Sequence, residues 1–403
     1  MNRKHTWYRM IQLLIATAMV SALVACGDSG TGQNNAGTND SSQGQKEPVT
    51  IGAILAVTGP ASFLGGPEAR TLEMLAEKTN AEGGINGHPV RLVIKDSGGS
   101  PEKAISFAKQ LIEEQQVFAI IGPSTSGETM KIKNIAEQGQ TLLLSCAAAE
   151  VIVNPVAKWV FKTPQKDSFA VRKIYTEMNN QNISKIAVVS GNTGFGQAGR
   201  QQLLDLAPDH NIEVVADEVY DKQATDLSAV VAKLMSNKDI QAVVNWSIVP
   251  AQSIIAKNMR QAGWDVPLFQ SHGFGNIKYV EAAGAAAEGI IFPGSRILVA
   301  EKLSDDHPQK SLLVTYKNNY EAQYNEPASA FGGYAYDAYV ILAEGILRAG
   351  NEREKVREAI ESLEDFVATG GIFNFSPEDH NGLDMDSFEM LTVKDGEFAL
   401  YQP

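Results

Sequence analysis

Val117-Phe118-Ala119-Ile120-Ile121-Gly122-Pro123-Ser124-Thr125-Ser126-Gly127-Glu128-Thr129 reads as a buried strand that halts at a glycine and a proline, then crosses a hydroxyl-rich loop into a helix. The unbroken apolar run from Val117 to Ile121 suits a strand covered on both faces, the condition of a parallel sheet. Thr125 and Glu128 stand at capping-box spacing, so the helix start is encoded in the same few residues. Strand, turn and helix in that order form the repeating unit of an α/β sheet.

On either side the unit recurs. Apolar runs at Val49 to Val57, Val90 to Ile94 and Thr141 to Ser145 predict further parallel strands, separated by helical stretches such as Glu68 to Asn80 and Pro101 to Glu114. Trp159-Val160-Phe161-Lys162-Thr163-Pro164 reads as a connector. A second set of strands is predicted at Lys185 to Ser190, Glu213 to Tyr220, Ala242 to Trp246, Pro267 to Gln270 and near Gly289 to Pro293. The two halves share an architecture but no residue-level repeat. Beyond Pro293 the pattern predicts helices over Gln309 to Tyr324, Phe331 to Ala349 and Arg353 to Leu363, then a terminal stretch from Gly371 punctuated by His380-Asn381-Gly382 and Asp395-Gly396. From Pro48 to Pro403 the body is long for one core and suits two lobes.

In front of that body, Arg3, Lys4 and Arg9 precede an apolar run from Met10 to Ala25 that Gln12, Thr17 and Ser21 interrupt. It is too short and too polar for a membrane span of ~20 residues, and it ends in Leu23-Val24-Ala25-Cys26. Gly27 to Glu47 is largely Gly, Ser, Thr, Asn and Gln, which buries too little to offset chain entropy and predicts a tether spanning ~25 Å. The net charge of −13 argues against nucleic acid and anionic lipid as partners. Of the 2 cysteines, Cys146 lies in Leu142-Leu143-Leu144-Ser145-Cys146-Ala147 as a small buried residue, and no internal disulfide is expected.

Thr58-Gly59-Pro60 after the first strand, Gly83-Gly84-Ile85-Asn86-Gly87 before the second, and Ile121-Gly122-Pro123 ahead of a Ser/Thr loop resemble the type I periplasmic binding proteins. Within that group the chain is most similar to the leucine-binding-protein-like receptors of ABC importers for branched-chain amino acids and amides. The resemblance covers everything after the tether. It implies an α/β fold of two doubly wound parallel-sheet lobes joined by a three-crossing hinge, with residues 48–163 and 294–365 in lobe 1 and 164–293 and 366–403 in lobe 2. It implies a monomeric receptor without cofactor or metal that closes on a small molecule and hands it to the permease subunits of an ABC importer. It also implies that residues 1–25 are a lipoprotein signal peptide cut before Cys26. The lipidated Cys26 and residues 26–47 would then anchor the receptor on the outer face of the cytoplasmic membrane. An ordinary secretory leader with an incidental cysteine is the alternative.

Ligands of open parallel sheets sit outside the carboxyl ends of the strands, where the Ser124 to Thr129 loop feeds a helix whose free N–H groups favour an anion. By the resemblance, Ser126, with Thr129 beside it, takes a ligand carboxylate, and Ala147 and Ala149 bind through backbone atoms; Thr125 and Glu128 cap the helix in either case. Amino-acid receptors of the family hold the ligand ammonium with a hydroxyl after the fourth strand and an acid after the fourth strand of the second lobe. Here Ala149 stands at the first position, and Ser271-His272-Gly273-Phe274-Gly275 contains no acid. A buried ammonium left without such partners is costly. The expected ligand is therefore a small carboxylate with an apolar or aromatic body, facing Leu64, Phe195, Trp246, Ile248, His272 and Phe274. Each aromatic would equally serve as core, and Glu150, one place beyond Ala149, would restore a branched-chain or aromatic amino acid as the ligand.

Enzyme readings are weaker. Gly194-Phe195-Gly196-Gln197-Ala198-Gly199, with Asp217 and Glu218 downstream, matches the dinucleotide fingerprint, but Gly191-Asn192-Thr193 separate its first glycine from the strand end. An exported NAD-dependent or hydrolytic enzyme is kept as the alternative class. His5, His88, His210, His272, His307 and His380 include no pair at metal spacing, and there is no Gly-x-Ser-x-Gly elbow. Asp379, Asn381, Asp384, Asp386 and Glu389 cluster in the tail without the EF-hand spacing and read as a solvated turn.

Overall fold

A computed structural model describes residues 46–403. The leader, Cys26 and all but the end of the expected tether lie outside the described residues. Among the described residues no helix is long and apolar enough to cross a membrane.

In the first lobe β1 (Val49–Leu55), β2 (Val90–Asp96), β3 (Ala119–Ile121), β4 (Leu142–Ser145) and β5 (Val160–Lys162) form a parallel sheet in the order β2-β1-β3-β4-β5. The apolar runs of β1, β3 and β4 are explained by cover on both faces from helices α1 (Ser62–Ala81), α2 (Pro101–Lys109) and α3 (Ser126–Gln138), whereas edge strand β2 leaves Arg91 exposed. Local signals set the helix starts. Ser100 Oγ accepts from Lys103 N at 3.3 Å, with Pro101 at a position whose N–H has no helical partner. The expected connector Trp159 to Pro164 instead contributes β5, a buried edge strand too short to show a period.

The second lobe holds α4 (Asp167–Asn180), β6 (Lys185–Gly191), α5 (Gly194–Leu206), β7 (Glu213–Tyr220), α6 (Ser228–Ser236), β8 (Ala242–Trp246), α7 (Ala251–Gln261), β9 (Leu268–Gln270), α8 (Ile277–Ala283) and β10 (Ile291–Gly294). Its strands run β7-β6-β8-β9-β10, the same order as in the first lobe, so both sheets reverse direction of winding beside their first strand. The parallel expectation holds through β10 and then fails. β13 (Glu389–Lys394) and β14 (Glu397–Leu400) extend this sheet as an antiparallel hairpin turned at Asp395-Gly396. Antiparallel pairing needs only a tight turn, and those two residues, both at positive φ, supply it.

After β10 the chain returns to the first lobe as α9 (Lys310–Tyr324), α10 (Ala330–Ala349) and α11 (Arg353–Glu361), with α10 lying against α1 and α11. A small hairpin of β11 (Phe366–Val367) and β12 (Ile372–Phe373) follows. Phe375 and His380 then pack on Phe161 of β5, with ring centroids 5.9 and 4.0 Å apart, and the chain joins the second sheet at Glu389. Three crossings result, and side chains lace them together. Thr163 Oγ1 donates to Tyr334 O at 2.8 Å, Gln165 Nε2 to Gly370 O at 2.8 Å, and Gln309 Nε2 to Ala368 O at 2.7 Å. Asp337 on α10 accepts from Thr369 N, Thr369 Oγ1 and Gly370 N at 2.7, 2.8 and 2.7 Å.

Candidate functional site

The loops after β1, β3, β6 and β8 face one another across the cleft between the lobes, as ligand-binding loops of open sheets do. A cavity of about 230 Å³ lies between them, bounded by Ala61, Thr125 and Gly127 of the first lobe and by Thr193, Phe195 and Ile248 of the second. The lobes touch on both sides of the cleft. On one side Gly194 packs on Gly127, and on the other Asn276 Nδ2 donates to Phe63 O at 2.8 Å and Ala330 N to Gly275 O at 3.0 Å. Phe63 also meets the Tyr279 ring edge at 5.2 Å, and Lys278 Nζ reaches Glu326 at 3.7 Å.

Ser126 opens α3. Thr125 is the cap residue: its Oγ1 accepts from Glu128 N at 3.4 Å and donates to Glu128 Oε2 at 2.6 Å, so the expected capping pair forms, through the threonine hydroxyl. Ser126 Oγ accepts from Ala149 N at 3.2 Å, which ties the loop after β4 to the helix start and leaves the serine proton for an anion. Ala147 N donates to Ser145 Oγ at 3.1 Å. Thr129 Oγ1 is spent inside the lobe, on Thr125 O at 3.1 Å and Ser145 Oγ at 2.9 Å, so its hydroxyl positions the loops. Leu64 is buried at the start of α1.

On the opposite wall Phe195 lines the cavity, and behind it Trp246 and His272 complete a cluster, with the His272 centroid 5.3 Å from Phe195 and 5.6 Å from Trp246, both edge-on. Ile248 lines the cavity beside Phe195. Trp246 Nε1 has no partner and lies against α5, where a Cβ on Gly199 would fall 2.0 Å from it, so the indole faces the lobe interior. Phe274 belongs elsewhere: it stacks on Tyr279 at 5.9 Å and meets Phe292 at 5.4 Å and Phe398 at 6.3 Å in the core of the second lobe. Neighbouring residues of a tight loop point apart, which the sequence did not reveal. The reading also missed Phe388, which closes the cluster 5.4 Å from His272, because it arrives on the third crossing, where no period marks it.

The charges are set by burial. Burial, with the Lys162 charge acting in the same sense, pushes His272 down to about 3, so the imidazole is neutral. Lys162, at the end of β5, donates to Pro164 O at 2.6 Å and Gln165 O at 3.1 Å. Burial lowers its affinity for a proton and raises that of Asp167, while each supports the other's charge. Asp167 Oδ1 accepts from Glu150 N at 2.8 Å, whereas Asp167 Oδ2 and Glu150 Oε2 are buried without partners. In the first lobe Glu68 takes the Ser124 hydroxyl, and burial raises it from 4.5 to about 8, with Ser124 lowering and Glu128 raising it.

The glycines of the dinucleotide-like motif are spent on packing. A Cβ would meet Gly127 Cα at 2.7 Å from Gly194, Gly191 O at 1.9 Å from Gly196 and Trp246 Nε1 at 2.0 Å from Gly199. Asp217, the acid expected on a ribose, pairs with Arg200, and Glu218 with Lys233. The tail acids are likewise engaged: Asp379 meets Lys166 at 3.1 Å, and Glu389 meets Arg296 at 2.8 Å.

The sequence model of the family described as periplasmic binding protein matches residues 48–397. The leucine-, isoleucine-, valine-, threonine-, and alanine-binding protein of Pseudomonas aeruginosa is 25% identical over 331 residues, 81% of this chain and 85% of the relative. An extracellular ligand-binding receptor from Rhodopseudomonas palustris superposes with a TM-score of 0.83 at 25% identity, covering 88% of this chain and 100% of that one. A Streptococcus pneumoniae branched-chain amino acid transporter substrate binding protein, solved in complex with isoleucine, shares the fold with a TM-score of 0.78 at 24% identity over 89% of this chain and 100% of that one. The chain belongs to the periplasmic binding protein family, and is a two-lobe substrate-binding protein rather than an enzyme.

Proposed function

We propose that the protein is the receptor of an ABC importer and captures, between its lobes, a small carboxylate with an apolar or aromatic body. The observation that carries this reading is the pairing of Ser126, its proton free at the start of α3, with the apolar second-lobe lining of Phe195 and Ile248. A helix start stabilises an anion, and Phe195 with Ile248 suits a flat or branched apolar body. A branched-chain amino acid is the second reading. The binding specificity in the name of the P. aeruginosa relative favours it, as do the unpartnered oxygens of Glu150 and Asp167 near Ala149, which are the right chemistry for an ammonium. Lipid attachment at Cys26 is part of the same proposal, supported by Leu23-Val24-Ala25-Cys26 and the polar stretch that follows. The test is mass spectrometry of the ligand co-purified with the protein, with thermal-shift titration of leucine, valine and phenylalanine against their deaminated analogues. Tighter binding of the deaminated acids is expected. Tighter binding of the amino acids moves the assignment to the second reading, and no response from either set refutes both.

A further inference from the structure

His272 is 2% exposed, and neither of its ring nitrogens has a hydrogen-bond partner. An imidazole carries at least one N–H in every protonation state, and a buried donor without an acceptor is penalised. The rings packed on it carry no acceptor oxygen. Phe195, Trp246 and Phe388 surround the ring edge-on at 5.3, 5.6 and 5.4 Å. The loop that carries it is fixed: Ser271 Oγ accepts from Gly273 N at 3.2 Å and donates to Ser247 O at 3.3 Å. A Cβ on Gly273 would meet Ser247 O, Ile248 and Phe195, so the loop is closely packed on its cavity side. Phe195 and Ile248, which hold this loop, also line the interlobe cavity.

We infer that His272 selects ligands whose apolar body carries a neutral oxygen, a hydroxyl or oxo group, directed at the second-lobe wall while the carboxylate is held at Ser126. This rests on the receptor reading above and adds the second polar group of the ligand. An oxygen accepts the imidazole N–H, and a hydroxyl can donate in turn to the other tautomer. An ammonium fits less well. The ring is neutral and offers a single lone pair.

Calorimetric titration of the mature protein tests this with matched acids: para-hydroxyphenylacetate against phenylacetate, and α-hydroxyisocaproate and α-ketoisocaproate against isocaproate and leucine. At least one oxygenated acid is expected to bind about tenfold or more tighter than its plain partner. His272→Phe should erase that preference, bringing the oxygenated acid and its plain partner to equal affinity, and His272→Leu gives a second apolar variant if the first does not fold. Equal binding of oxygenated and plain acids, a preference that survives both variants, or leucine binding tightest overturns the inference and leaves the receptor standing. No binding by any of these acids removes the carboxylate reading and this inference with it.

Discussion

Gly194→Ala should hold the cleft ajar. A Cβ built at Gly194 falls 2.7 Å from both Cα and N of Gly127 in the other lobe, about 0.7 Å inside an ordinary contact, and backbone atoms cannot step aside as a flexible side chain would. The reciprocal change is harmless, because a Cβ on Gly127 meets Gly194 N and Cα at 3.7 and 3.8 Å. Both residues lie in the first turn of a helix at ordinary φ, so alanine relieves the entropic penalty of glycine and each lobe should be as stable as before or slightly more so. Overpacking of this kind costs about 1–3 kcal/mol, here charged only against the closed form, which is about 5- to 150-fold in ligand affinity. Calorimetric Kd values for wild type, Gly127→Ala and Gly194→Ala, with small-angle scattering of the ligand-saturated proteins, read the effect directly. The expected result is an unchanged unliganded Tm for both variants, with weakened binding and a larger radius of gyration for Gly194→Ala alone. Equal affinities for the two variants would refute the glycine contact as part of the closed, binding state.

Ser126→Ala removes both the acceptor for Ala149 N and the proton offered to an anion. Ligand binding should weaken by about 1–3 kcal/mol by titration, and unchanged affinity would reduce the serine to a loop tie. Glu68 and Asp337, raised by burial to about 8 and about 7, keep protons in the folded state that the unfolded chain has released. Unfolding therefore releases protons, and stability falls as pH rises from about 5 toward 8. Glu68→Gln should flatten that Tm profile by calorimetry; parallel profiles would show Glu68 ionised throughout. Cys146, 2% exposed and with its thiol raised well above its ordinary value by burial, should react with a thiol reagent only on unfolding, and rapid labelling of the native protein would contradict its placement.

The sheets were legible wherever burial on both faces wrote an apolar run, as at Val49–Leu55, Lys185–Gly191 and Ala242–Trp246. So were the helix starts, where chemistry is local: Ser100-Pro101 and Thr125 with Glu128 cap as their types require. What escaped was set at long range. β5 is three residues long and exists because β4 offers an edge, and β13 and β14 join the second sheet through pairings that only the folded lobe provides. The site divides on the same line. Ser126 and Phe195 follow from strand-end position, but Phe274 and His272, two residues apart, face the core and the cluster, and Phe388 arrives from the tail. The motif from Gly194 to Gly199 misled for a related reason, since glycine needed for close approach looks identical in sequence whether the approaching group is a phosphate, an indole or another backbone.

Closure and selectivity are then two sides of one accounting. The contacts between the lobes include a glycine pair, two hydrogen bonds to backbone oxygens, the hydrogen bond from Glu150 N to Asp167, a ring edge, and an ion pair in which Lys278 and Glu326 are about a third exposed. Hydrogen bonds of that kind contribute about 1 kcal/mol each and exposed ion pairs less, too little to make closure independent of what it encloses. On the reading proposed above, Ser126 meets the ligand from one lobe and His272 from the other, and a molecule satisfying both makes its second bond only when the lobes meet. A molecule that satisfies one alone binds either lobe equally well open or closed and shifts nothing, because a ligand biases a conformational equilibrium only by its difference in affinity between the states. Discrimination should therefore be steeper in the closed fraction measured by scattering than in first contact with the isolated wall, and an equal closed fraction for plain and oxygenated acids at saturation would break that link.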